Sequence, residues 1–364
     1  MKKSVNEIYF IRALACISIV MIHSLTRVTV NYELPQSTIE LARSSQLLLL
    51  FATPMFILIS EFILSYAYPD KLPNGFFLKR VKFILFPYIA VSILYGISNK
   101  FIYGMSNSAF IDSTFQILFE AKWHGYFIII IFQFYLLHYL FCRYFQKIPA
   151  WIMIGLSFVI NLAYLYIMNF VDPPNTAFGN ELWYIYGRLP FPGWIVYFCI
   201  GYYTGRNIES FRLSVAKYKF PIILLLAAVY ALIINLYSSG KITVISSQRV
   251  DILFYSILMF LALFYAFSKA KSVPGIVKLI SSYSFVIYLL HPMMQTFYHL
   301  LNPEPELNIT AYVLTMFSTG LIFPIIIGAL LNKIPGGKYI VGNIPSLKRK
   351  APKATKKNQY SISA

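Results

Sequence analysis

Residues 8–30 read IYFIRALACISIVMIHSLTRVTV, a 23-residue apolar stretch. That length crosses about 30 Å of hydrocarbon as a helix, so it predicts a membrane span. Two ionisable side chains interrupt it, Arg12 and His23. Eleven helical steps of about 100° leave the two roughly 20° apart around the helix and about 16 Å apart along it. They therefore share a face. Charge and imidazole inside a bilayer are costly, and such residues point to function by default.

The rest of the chain repeats the pattern. Hydrophobic residues make up 58% of the sequence and charged residues only 12%, against about 25% charged in an average soluble domain. The apolar content falls into ten candidate spans: 8–30, 44–68, 81–103, 123–142, 150–170, 190–208, 218–237, 251–268, 279–300 and 311–331. The predicted fold is an all-α polytopic membrane protein of about ten transmembrane helices. Pro190 and Pro192 crowd the start of the sixth span, and the eighth is short. A membrane domain is expected over 1–340, followed by a basic, polar cytoplasmic tail over 341–364, a composition that favours disorder.

Charge gives the orientation. With the N-terminus inside, 23 of the 31 Lys and Arg residues fall on the inner side and 7 on the outer, with Arg12 in the membrane. This asymmetry is the positive-inside pattern and predicts both termini in the cytoplasm. The net charge of +18 is then accounted for by anionic lipid heads, with no nucleic-acid partner. The first span is longer than a signal-peptide core and lacks a small-residue cleavage site. Cys16, Cys142 and Cys199 lie in apolar stretches and read as small buried residues. No metal-ligand spacing, Walker A sequence or GxGxxG occurs.

Several residues qualify for chemistry, each beside a plainer role. Arg12 is shallow enough to snorkel to the inner headgroups. His23 is too deep for that, and an imidazole serves as a base near neutral pH; its plain alternative is an interhelical hydrogen bond. Lys79, Arg80 and Lys82 open the third span on the inner side, either as a topogenic cluster or as a clamp for a phosphate-bearing ligand. Trp123 and His124 open the fourth span at the outer face. An aromatic belt explains the tryptophan but not the histidine. His291 precedes Pro292 deep in the ninth span, where a packing contact at the kink competes with a part in the site. Glu61 is an acid deep in the second span, with Arg12 and Arg80 as candidate partners.

Arg12 and His23, the basic cluster before Ile84-Leu85-Phe86-Pro87-Tyr88, and Ser284–Pro292 together resemble the membrane-bound acyltransferase 3 family, along nearly the whole chain. Three segments, Trp123–Leu137, Gly193–Gly205 and Val286–Pro292, are most similar to the branch linked to surface poly-N-acetylglucosamine. The resemblance implies transfer of an acyl group, acetyl or succinyl, from cytosolic acyl-CoA to a hydroxyl of an extracytoplasmic cell-surface glycan or glycolipid. Acyl-CoA would be a donor substrate and not a bound cofactor. His23 is carried over as the catalytic base or acyl-handling residue and Arg12 as its partner, with Lys79, Arg80 and Lys82 at the donor, while Trp123, His124, His291 and Glu61 are placed toward substrate by their own positions in the spans. Two departures stand out: Ser60-Glu61 where much of the family has Ser-Gly, and Lys79 and Lys82 flanking Arg80 where many members carry paired arginines. Two other functions fit ten spans: a polysaccharide exporter or flippase, and a non-enzymatic partner of a polysaccharide synthase.

Overall fold

The computed structural model describes residues 5–302 and 308–344; most of the expected tail, 345–364, lies outside the described residues. Within them the chain is helical and contains no strand. The helices are α1 (Asn6–Asn31), α2 (Gln36–Leu49), α3 (Ala52–Ala67), α4 (Phe76–Arg80), α5 (Phe86–Tyr103), α6 (Asn107–Phe119), α7 (Tyr126–Leu140) and α8 (Ala150–Phe170). They continue as α9 (Ala177–Arg188), α10 (Ile195–Arg206), α11 (Ile208–Lys217), α12 (Lys219–Ser238), α13 (Val250–Ser268), α14 (Gly275–Leu301), α15 (Ile309–Leu331) and α16 (Lys338–Val341). Five-residue π-turns join α4 to α5 and extend α7.

Among the described residues nine helices are long and apolar enough to cross a membrane. The second runs from Gln36 to Ala67 through α2 and α3, and the third from Phe76 to Tyr103 through α4 and α5. Both start before the predicted boundaries. The expected span at 190–208 differs most. Its helix, α10, has only 12 residues, about 18 Å of rise, well short of the hydrocarbon thickness.

Proline is the reason. Pro190 and Pro192 stop α9, because proline lacks an N–H and obstructs the preceding turn. The chain then makes a single 3₁₀ turn, Phe191–Gly193. Irregular backbone at membrane depth needs partners within the protein, and two polar side chains supply them. Gln133 of α7 donates to the Leu189 carbonyl at 2.8 Å and accepts from the Phe191 N–H at 2.8 Å. Asn161, halfway along α8, donates to the Gly193 carbonyl at 2.9 Å and accepts from the Val196 N–H at 3.3 Å. The Trp194 indole caps the Arg188 carbonyl at 2.8 Å. The sixth apolar segment is thus a half-span that begins near mid-depth.

This half-span is buried because it packs backbone to backbone on α3. A Cβ on Gly201 would lie 2.6 Å from the Leu58 carbonyl oxygen, and one on Gly205 2.4 Å from that of Phe62. Glycines four apart on one helix face permit such close approach. Helix α1 is the other organiser, packed against α3, α13, α14 and α15. Its lining of Ile11, Ala15 and Val20 is buried. In contrast α12 packs on α13 along one side and leaves Phe220, Ile223, Leu224, Leu225 and Leu232 exposed for lipid.

Contacts between helix ends define two faces. On one, Arg212 pairs bidentately with Glu7 at 2.8 and 3.1 Å, Arg206 pairs with Asp70 at 3.2 Å, and Tyr203 reaches the Ile148 carbonyl. Lys79, Arg80 and Arg143 lie at helix ends on this basic face. On the opposite face, Lys122 bridges Glu120 and Glu181 at 2.8 and 2.5 Å. There Asn169 donates to the Gln248 carbonyl, and buried Arg249 pairs with Asp251 at 2.6 Å while holding the carbonyls of Ile242 and Val244. That arginine folds the 241–249 loop back onto the protein. The three cysteines are free, with Cys16 and Cys199 buried as expected.

Candidate active site

The site is organised by a break that Pro292 makes in the hydrogen-bond ladder of α14, which otherwise runs on as one helix. Pro292 has no N–H for the Tyr288 carbonyl, and the Met293 N–H turns to the Tyr95 hydroxyl at 3.0 Å. Side chains take the freed carbonyls. His291 Nδ1 donates to Ile287 and Tyr288 at 2.8 and 3.0 Å. His124 Nε2 and the Tyr95 hydroxyl donate to Leu289 at 3.3 and 3.4 Å. A carbonyl only accepts, so these bonds assign the tautomers: His291 keeps its lone pair on Nε2 and His124 on Nδ1. The Tyr288 hydroxyl in turn donates to the His124 backbone carbonyl.

His23 of α1 faces this break. Its ring centre is 5.0 Å from that of His291 and 6.3 Å from that of His124, and the latter two are 5.4 Å apart. His23 has no hydrogen-bond partner among the described residues, so its nitrogens are available to a ligand. His291 is fully buried and its Nε2 is unpartnered. No group of His, Cys, Asp or Glu among the described residues has metal-binding geometry.

Two cavities approach this centre from opposite faces. A cavity of about 480 Å³ opens from the basic face and is lined by Arg12, Lys79, Arg80, Ser60, Phe76 and Tyr288, among others. Among the described residues no carboxylate lines it. Arg80 is oriented by the rings of Phe76 and Tyr135, 4.7 and 5.2 Å from its guanidinium carbon, and its Nε has no partner. A second cavity of about 410 Å³ lies toward the opposite face, lined by His23, Trp123, His124, Tyr126, Tyr184 and Arg188 and roofed by Ser246–Gln248. Tyr288 lines both. The wall between them is aromatic: Phe127 lies 5.3 Å from Tyr288 and 6.1 Å from Phe56, ring centre to ring centre.

The structure gathers most of the sequence candidates and moves two aside. Arg12, Lys79 and Arg80 meet in one cavity; His23, Trp123 and His124 meet in the other, with His291 behind them. Lys82 does not line the basic cavity. Residues 79, 80, 83 and 84 form its wall, whereas Lys82, in the π-turn two positions after Arg80, falls off it. Glu61 lines neither cavity and pairs with neither Arg12 nor Arg80. Its partner is His138, at 2.6 Å, with both side chains fully buried. His138, which reads from sequence as an ordinary span-end residue, also donates from Nε2 to the Tyr68 carbonyl at 3.1 Å. The pair therefore ties α3, α7 and the loop that forms the rim of the basic cavity. Tyr288 and Arg188 are cavity residues that the sequence does not single out: one lies inside a quoted motif and the other reads only as an outer-loop charge.

A family-wide profile described as an acyltransferase domain, acyltransferase 3, matches residues 5–329. The chain belongs to the acyltransferase 3 family. The chain is 36% identical to YfiQ of Bacillus subtilis (strain 168), named as a membrane-bound acyltransferase, over 95% of this chain and 96% of that one. It is 28% identical, over 95% and 98%, to a Staphylococcus aureus protein (strain Mu50) named for export of poly-β-1,6-N-acetyl-D-glucosamine. A Staphylococcus epidermidis protein of the same name is 30% identical over 81% and 82%. No solved structure matches the chain. This acyltransferase is a multi-pass bacterial membrane protein. Its polar centre lies between helices, at the break in α14 and beside α1.

Proposed function

We propose that this acyltransferase moves an acetyl or succinyl group from cytosolic acyl-CoA to a hydroxyl of an extracytoplasmic cell-surface glycan or glycolipid, with the basic face and both termini in the cytoplasm. The observation that carries the reading is the pair of cavities that meet at Tyr288, one cationic and free of acids, the other holding an unbonded histidine. Lys79 and Arg80 suit the nucleotide phosphates of the donor, the arginine as a bidentate donor and the lysine as a point charge. The slender pantetheine arm then runs along α1 past Arg12 toward Tyr288, which brings the thioester to the wall between the cavities.

His23 acts as general base. It takes the proton of the glycan hydroxyl as that oxygen bonds to the thioester carbonyl carbon. The resulting oxyanion needs hydrogen-bond donors or a cation placed in advance, a role for Arg12 on the same face of α1. The intermediate collapses with cleavage of the C–S bond, and the His23 proton passes to the CoA sulfur. The lone pair on His291 Nε2 faces no other partner and suits an N–H of the His23 imidazolium. His124, with its lone pair on Nδ1, suits a hydroxyl of the acceptor.

The names of the staphylococcal relatives favour a second reading, glycan export. The aromatic wall of Phe56, Phe127 and Tyr288 speaks for transfer at a closed centre over passage of a polymer. Purified protein supplied with radiolabelled acetyl-CoA or succinyl-CoA and an oligosaccharide mixture tests the choice. Labelled O-acyl glycan formed by wild type and not by His23→Ala supports transfer. Movement of unmodified lipid-linked glycan across vesicles without acyl-CoA supports export.

A further inference from the structure

Arg188 ends α9 and faces the cavity that holds His23. Two tyrosines fix its guanidinium carbon, the Tyr184 ring centre at 3.8 Å and that of Tyr126 at 5.2 Å. Flat rings hold a guanidinium without satisfying its N–H edge. One terminal nitrogen has a long bond of 3.4 Å to the Ala121 carbonyl, and Nε is buried without a partner. Among the described residues no carboxylate lines the cavity. The acids nearby in the chain, Glu120 and Glu181, are both engaged by Lys122. The Trp123 indole lines the same cavity, with its Nε1 toward the Tyr88 hydroxyl. Among the described residues the cavity thus presents a fixed cation with a spare N–H edge but no matching negative charge.

From this arrangement, and resting on the transfer reading above, we propose that the acceptor glycan carries an oxyanion close to the hydroxyl that is acylated. The group is a sugar carboxylate or a phosphodiester, gripped by the N–H edge of Arg188 while a sugar ring lies against Tyr184. A neutral glycan leaves Arg188 partly desolvated and unpaired, and unpaired buried charge is the stronger source of discrimination in a polar site. The hydroxyls of Thr53, Ser246 and Ser247 along the same wall suit the remaining sugar oxygens.

The test reads binding separately from transfer. Calorimetry on the full-length protein in lipid nanodiscs, without acyl-CoA, compares three probes: tetragalacturonate, a glycerol-phosphate-bearing oligosaccharide and neutral chitotetraose. Wild type is expected to bind at least one anionic probe ten-fold or more tighter than chitotetraose, and which one it prefers separates carboxylate from phosphodiester. In Arg188→Gln that preference falls to below about two-fold while chitotetraose binds at least as tightly as to wild type, because the unpaired charge is gone, which also reports an intact cavity. Arg188→Lys, a point charge without the fork, recovers only part of it. Equal binding of all three probes by wild type, or an unchanged preference in Arg188→Gln, overturns the proposal. Arg188-dependent binding without labelled transfer from acetyl-CoA or succinyl-CoA supports it while removing the transfer reading.

Discussion

The two cavities differ in what builds them. The basic one is lined largely by helices that cross the membrane, with its cations at positions 12, 79 and 80 on α1 and α4. The other is closed by pieces that do not cross: the turn at 123–125, the short helix α9 and the loop 245–248. A rigid, generic pocket on one side and an assembled one on the other suits an enzyme whose donor is shared by many transferases and whose acceptor is particular. Binding residues carried on connecting segments vary more freely than those within packed elements.

The largest effect expected is on the centre that serves both sides. His23→Ala is expected to lower acyl transfer by about 10²–10⁴-fold, the range of a lost general base, with donor affinity unchanged. Loss of donor affinity in that variant would instead assign His23 to the basic cavity. The next effect is one-sided. Arg80→Ala removes charge-assisted bonds of about 1.5–3 kcal/mol, so the KM for acyl-CoA is expected to rise about 10- to 100-fold with little change for acceptor. Lys82→Ala, off the cavity wall, is expected to leave both values alone, and steady-state kinetics with each substrate varied checks the pair.

The residues of the two cavities are legible in the sequence to different degrees, for a physical reason. Arg12 and His23 share a helix, so periodicity alone puts them on one face. Lys79 and Arg80 share a helix end. Glu61 and His138 are 77 residues apart, and only the tertiary packing of α3 against α7 shows that they neutralise each other. The break in α14 could be read from Pro292, but not the partners from α5 and the 123–125 turn that take its freed carbonyls. The half-span α10 hides in a hydropathy pattern because burial in protein and burial in lipid ask for the same residues. Its two prolines and the Gly201/Gly205 pair are the signals that it packs on α3 and does not cross alone.

That half-span gives a stability prediction that sharpens the contrast between the cavities. Gly205→Val forces a Cβ onto the Phe62 carbonyl, and overpacking of this kind costs about 1–3 kcal/mol. A lower unfolding temperature is expected, with donor affinity also reduced because α3 lines the basic cavity. Gln133→Leu leaves the Phe191 N–H and the Leu189 carbonyl without their partner, a loss of about 1–3 kcal/mol. It is expected to weaken acceptor binding before donor binding, since α9 hangs from this turn.

The smallest effect lies at the rim. Hydrogen bonds donated to Glu120 and Glu181 hold the Lys122 ammonium above the usual lysine range. A raised amine contributes its stabilisation fully below the unfolded value of about 10.4 and loses it as pH rises through the raised value. What Lys122 contributes to acceptor affinity is therefore expected to be flat through neutral pH and to fall slightly only in strong alkali. Lys122→Ala is expected to change it by less than about five-fold, and less in high salt, as for exposed ion pairs.

The central claim is that one histidine serves two cavities on opposite sides of a membrane. Sealed proteoliposomes with uniformly oriented protein test it directly, with labelled acyl-CoA outside at the basic face and glycan acceptor trapped within. Label is expected on the trapped glycan with wild type and not with His23→Ala. Label appearing only when donor and acceptor share a compartment, or equally with His23→Ala, would contradict it.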